Sequence, residues 1–174
     1  MKNKKQRISN VALAVILIFA MSATAFGAAA PGSKDDALKI ALANAKLSKK
    51  QVKQIDVEKE KNYEIEFVRK SNGAEYDYEI SAKDGRILEK AVEYKYKKNT
   101  SKKKIGKDKA RRIVADFSGR SYNDVKKGTC VYSYKNKKGK YEVKFRSGNY
   151  KHEYEVLAPN GKIIEYEYEY TGTR

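Results

Sequence analysis

The sequence predicts an α+β protein made of two tandem repeats. Each is a helix, plus a short second helix, packed on a three- or four-stranded antiparallel sheet. Three observations predict this. Two stretches of helical character each precede segments in which bulky and charged residues alternate with a period of two. Tight-turn tripeptides separate those segments, at SNG (71–73), KDG (83–85) and PNG (159–161). The strand pattern DGRILE recurs as NGKIIE close to the chain's end.

The first thirty residues read as a signal peptide, not as fold. Lys2, Lys4, Lys5 and Arg7 precede the apolar run VALAVILIFA, and the small residues of SATAFGAAAP follow. The apolar run falls short of the ~20 residues a spanning helix needs. Cleavage is expected after Ala25 or Gly27, because Pro31 disfavours a cut after Ala30. The protein is therefore expected to be secreted or associated with the cell envelope. A single cysteine, Cys130, rules out an intrachain disulfide framework, so packing alone must hold the exported chain together.

Charge is unevenly placed. Residues 33–94 carry 13 basic and 13 acidic side chains, whereas residues 95–174 carry 22 and 9. The densest stretch, KYKKNTSKKKIG (95–106), has six lysines and no acid and reads as an exposed linker. The expected organisation is a first domain at 33–94, this linker at 95–106 and a second domain at 107–170.

The two domains align as copies. From Lys34 and Lys107 the chain runs side by side without a gap, matching Ala37 to Ala110, Ile40 to Ile113, Val52 to Val125 and Val57 to Cys130. YEIEF (63–67) then matches YEVKF (141–145), and YDYEISAKDGRILE (76–89) matches HEYEVLAPNGKIIE (152–165). Length differences fall between these blocks, where loops tolerate them.

Each element has a local cause. Ser33 stands before KDDALKIALANAK with Asp36 three residues on, a capping arrangement with acids at a helix N-terminus. In the second copy Ala110, Ile113, Val114 and Phe117 share one helical face. SKKQV (48–52) and SYNDV (121–125) each begin with Ser and carry Gln or Asp three residues later, which predicts the short second helix. Tyr63, Ile65 and Phe67 then alternate with Glu64 and Glu66, and Tyr76, Tyr78 and Ile80 alternate with Asp77 and Glu79. One sheet face should meet the helix and the other, lined with Glu and Lys, should meet water.

DALKIA, YEIEF and EYDYEISAKDGRIL together resemble the PepSY domain family, and YEVKF with EYEVLAPNGKII resembles it a second time. The resemblance implies a helix on an antiparallel sheet. It also implies an exported protein, since such domains occur in propeptides of secreted metallopeptidases and free-standing, with a proposed role in restraining peptidases. It carries over no catalytic residue, and no peptidase domain follows in this chain.

The residue types point the same way. Cys130 aligns with Val57 at a strand position and reads as a small buried thiol. His152 aligns with Tyr76 and reads as a packed imidazole, with no His or Cys partners for zinc. The carboxylates Glu64 and Glu66, Asp77 and Glu79, and Glu165, Glu167 and Glu169 sit at i, i+2 and read as a solvated sheet face, not an acid–base pair. No catalytic residue, cofactor or metal is expected. Two sets of contact residues are. Tyr166, Tyr168 and Tyr170 form a stripe whose outer end offers a protein-contact surface. Lys97, Lys98, Lys102, Lys103 and Lys104 offer a polyanion contact.

The expected function is non-enzymatic protein binding, with a secreted or envelope peptidase as the partner to be inhibited or modulated. The alternative is a basic module held on anionic cell-wall polymer or lipid headgroups. Export argues against nucleic acid as a partner, so none is expected.

Overall fold

The computed structural model of the protein describes residues 30–96, 103–135 and 138–172. The signal segment up to residue 29 lies outside the described residues, as do Lys97, Lys98 and Lys102.

The elements run α1 (Lys34–Ala45), a 3-10 turn (Lys49–Gln51), β1 (Val52–Lys59), β2 (Tyr63–Arg69), β3 (Glu75–Ile80) and β4 (Ile87–Glu93). The order then repeats as α2 (Lys107–Ser118), α3 (Tyr122–Lys127), β5 (Thr129–Lys135), β6 (Lys138–Ser147), β7 (Tyr150–Leu157) and β8 (Ile163–Tyr170). Ser33 caps α1 by accepting the Asp36 backbone N–H at 3.2 Å, and Ser121 accepts from the Asn123 N–H at 3.1 Å. Gly85 and Gly161 turn the last hairpin of each half at φ 68° and 77°, a conformation that favours glycine. Among the described residues no helix is long and apolar enough to cross a membrane.

The strands form one eight-stranded antiparallel sheet in the order β1-β2-β3-β4-β8-β7-β6-β5. The sequence reading gives each half a sheet of its own. Each half does contribute four consecutive antiparallel strands, but β4 pairs with β8 from Glu89↔Glu169 to Glu93↔Glu165 and joins them. The physical reason is that β4 and β8 each end a meander with an unpaired edge, and pairing satisfies both rows of backbone groups.

The helices lie on one face. α1 packs on β1, β2 and β3, whereas α2 packs on β5, β6 and β7. One apolar cluster runs through both halves, from Leu38, Ile65 and Tyr78 to Val114, Val143 and Tyr154. The gapless alignment hides a local difference. Val52 opens a strand whereas Val125 lies in a helix, yet both are fully buried. α3 is longer than the 3-10 turn, so β5 starts only after Gly128. At Gly128 the chain passes so close to β6 that a Cβ would overlap the Lys144 carbonyl oxygen.

Candidate functional site

β4 and β8 lie between the zones covered by the two helices, and strand alternation aims Lys90 and Val92 and also Tyr166 and Tyr168 at the helix side. The expected tyrosine stripe therefore divides. Tyr166 is 4 % exposed and packs edge-on against Phe117 of α2, with ring centroids 5.4 Å apart. It is core and cannot meet a partner. Tyr168 and Tyr170 are half-buried. Tyr150 packs edge-on against both, at 5.5 and 5.3 Å, and the Arg86 guanidinium lies 4.6 Å above the Tyr170 ring. The outer end of the stripe is thus a small Tyr–Arg surface.

Beneath it sits a group absent from the sequence expectations. Lys90 is 2 % exposed, and its Nζ donates to Asn44 Oδ1 of α1 at 2.9 Å. The rings of Tyr78, Tyr166 and Tyr168 surround it, with centroids 5.3, 5.4 and 5.9 Å away. Burial pushes the amine down to about 7. One register step across β8 is His152, 4 % exposed and stacked on Phe145 at 4.8 Å. Neither of its ring nitrogens has a hydrogen-bond partner. Burial first, and then the Arg120 charge, push it down to about 4. The signal for Lys90 is in the sequence: a lysine between Leu88 and Val92 breaks the alternation of an apolar strand face.

The opposite face of the sheet is open and acidic. Across β2, β3, β4 and β8, Glu66 pairs with Asp77, Glu64 with Glu79, Glu79 with Glu89, and Glu89 with Glu169. Burial and the neighbouring carboxylates Glu167, Asp77, Glu79 and Glu169 raise Glu89, and burial raises Asp77. Basic partners enter at its rim and farther out: Lys95 binds Glu75, Lys151 reaches Glu169 at 4.0 Å, Lys144 binds Glu142 and Glu153, and Lys140 binds Glu155. Like charges face each other without forming a compact cage. Among the described residues no group of three or more His, Cys, Asp or Glu side chains could hold a metal ion.

The remaining expected residues are separate from this seam. Lys103 and Lys104 are exposed, and Lys104 Nζ lies 4.0 Å above the Tyr132 ring beside β5. Cys130 is buried under α2, its thiol 3.9 Å from the Lys107 carbonyl, and burial pushes the thiol up, away from the reactive thiolate. An open depression of about 400 Å³ lies at the other end of the seam, between Tyr94, Phe117 and Ile163. No nucleophile–base pair lines it.

The fold and its surfaces define an α+β protein with a helix-covered antiparallel sheet. Residues 31–91 match the PepSY family model, described as Peptidase propeptide and YPEB domain. No curated protein matches the chain. Two solved structures are similar in outline. The Bacillus megaterium YpeB C-terminal domain is 15 % identical with a TM-score of 0.45, over 82 % of this chain and 67 % of that one. A candidate lipoprotein of Clostridium difficile 630 is 16 % identical with a TM-score of 0.31, over 78 % and 91 %.

Proposed function

We propose that this is an exported, non-enzymatic protein that works by binding other proteins and that restrains or modulates an extracellular peptidase. The observation that carries the reading is the match of residues 31–91 to a domain class described by its place in peptidase propeptides. A surface of half-buried tyrosines and an unpaired sheet edge suit recognition better than bond-making. The tandem organisation belongs to the same proposal, with 33–94 and 107–170 as copies of one module and 95–106 joining them. The pairing of β4 with β8 supports it. Residues 76–89 align with 152–165, and carrying that offset forward makes Ala91 and Glu167 equivalents; these two are paired with each other at the centre of the β4–β8 register. Glu89↔Glu169 and Glu93↔Glu165 are then one contact seen twice. The test is affinity capture from the secreted fraction with the whole protein, followed by peptidase assays on the recovered partners. A saturable peptidase whose activity falls on addition of the protein supports the reading, and its absence among saturable partners sinks it.

A second reading is favoured by the distribution of charge. Lys39, Lys49, Lys50, Lys109, Arg112 and Lys127 are exposed on the helices and their connections, opposite the acidic sheet face. Such a molecule would present its basic side to anionic cell-wall polymer or lipid headgroups. Replacing Lys97, Lys98, Lys102, Lys103 and Lys104 with Gln, or raising salt, then releases it from the envelope. Retention that survives both treatments rules this reading out.

A further inference from the structure

The two ends of the sheet are not alike. β1 is a protected edge: its pairing to β2 shifts between Lys53 and Asp56, and Gln54 sits at φ 50°. Such a bulge, among alternating charges, deters another strand. β5 carries no such device. It pairs with β6 without a register shift from Thr129↔Lys144 to Lys135↔Lys138, so its outer backbone row is straight. No described strand pairs with that outer row.

The side chains of β5 add two facts. Val131 and Tyr134, 54 % and 41 % exposed, are the exposed large hydrophobic residues among the described ones. Being three apart on a strand, they stand on opposite faces, so an added strand would find an apolar neighbour on each side. The surroundings are basic. Lys126 and Lys127 end α3 just before β5, Lys135 ends the strand, and Lys104 stands above Tyr132. β5 itself has no acidic residue. Glu142, which faces Val131 from β6, is engaged by Lys144 at 3.1 Å.

We infer that the outer edge of β5 is a strand-addition site for an extended acidic segment of a partner protein. Backbone pairing supplies binding, the lysines select for acid, and Val131 and Tyr134 take apolar residues on opposite faces of the added strand, three positions apart. The inference rests on the reading that this protein acts by binding other proteins, but not on the partner's being a peptidase.

The test uses the full chain and a fluorescein-labelled, Glu-rich peptide with two valines three residues apart, one for each face, followed by fluorescence anisotropy at physiological salt. The expected result is saturable binding that weakens by about tenfold or more when alternate peptide amides are N-methylated, or when Lys replaces Glu in the peptide. Val131→Glu and Tyr134→Glu in the protein weaken it by a similar factor, while Lys59→Glu on β1 leaves it unchanged. Equal binding of the N-methylated peptide overturns the proposal, because charge alone would then explain it, and this arm needs no variant to fold. Unchanged binding by both glutamate variants overturns it too, as does a concentration-dependent dimer lost in Val131→Glu, which would make a second copy the occupant. Peptide binding of the expected kind without any effect on captured peptidases sinks the peptidase reading and leaves this one standing.

Discussion

Lys90 places an amine among tyrosine rings with one hydrogen bond, to Asn44. The unfolded chain holds that proton up to about pH 10.5, whereas the folded protein releases it near 7. Between those values unfolding takes up a proton, so native stability rises with pH across the window, by roughly 5 kcal/mol at the limit. Above about pH 10 the sign reverses, because burial raises Tyr78 and Tyr166 and folding then opposes their ionisation. Urea titrations should therefore place maximal stability near pH 9 to 10. Lys90→Met should be more stable than the wild type at pH 7 and lose most of the rise. Asn44 keeps a donor there, the Tyr78 hydroxyl at 3.2 Å. A variant with the same slope as the wild type would show that the amine is not desolvated. His152 is a second case on the acid side. Its folded value of about 4 lies below the ordinary 6.5, so its contribution is complete above 6.5 and is lost as pH falls through 4. His152→Phe keeps the stack on Phe145 and removes two unpartnered nitrogens. Thermal unfolding of this variant from pH 6.5 to 4 should lack the His152 share of the loss, which in the wild type amounts to up to about 3 kcal/mol.

Helices and inner hairpins were legible because their causes are local. Ser33 and Ser121 cap, glycine turns the hairpins, and tyrosine–glutamate alternation makes strands with one buried face. The edge strands were less so. β1 has a bulge that breaks the period, and TCVYSYK (129–135) has no clean alternation because its outer half packs on nothing. The step from α3 into β5 depends on Gly128, whose role is space, not backbone freedom. Gly128→Ala should cost about 2 kcal/mol or more by overpacking against Lys144 and Phe145. Denaturant midpoints measure this, and a neutral effect would mean that α3 can move off β6 at little cost.

At the scale of the molecule, the continuous sheet and the shared apolar cluster tie the halves together. Val92, fully buried, pairs with Tyr166, and Tyr94 donates its backbone N–H to the Ile164 carbonyl at 2.8 Å. One cooperative unfolding transition is expected, with coincident fluorescence and circular-dichroism midpoints; two separated transitions would mean independent halves. The join also decides the surfaces. It withdraws β4 and β8 from solvent edges, buries Tyr166, and leaves β1 and β5 as the ends of the sheet.

The sequence alone determined the α+β class, the repeated order of elements and the sidedness of the strands, because caps, turns and alternation act within a few residues. Only the tertiary structure decided that the meanders fuse, that a lysine lies under tyrosines and that β5 is the open edge. Those outcomes depend on which backbone edges meet across the chain, and strand pairing at long range leaves no short-range mark.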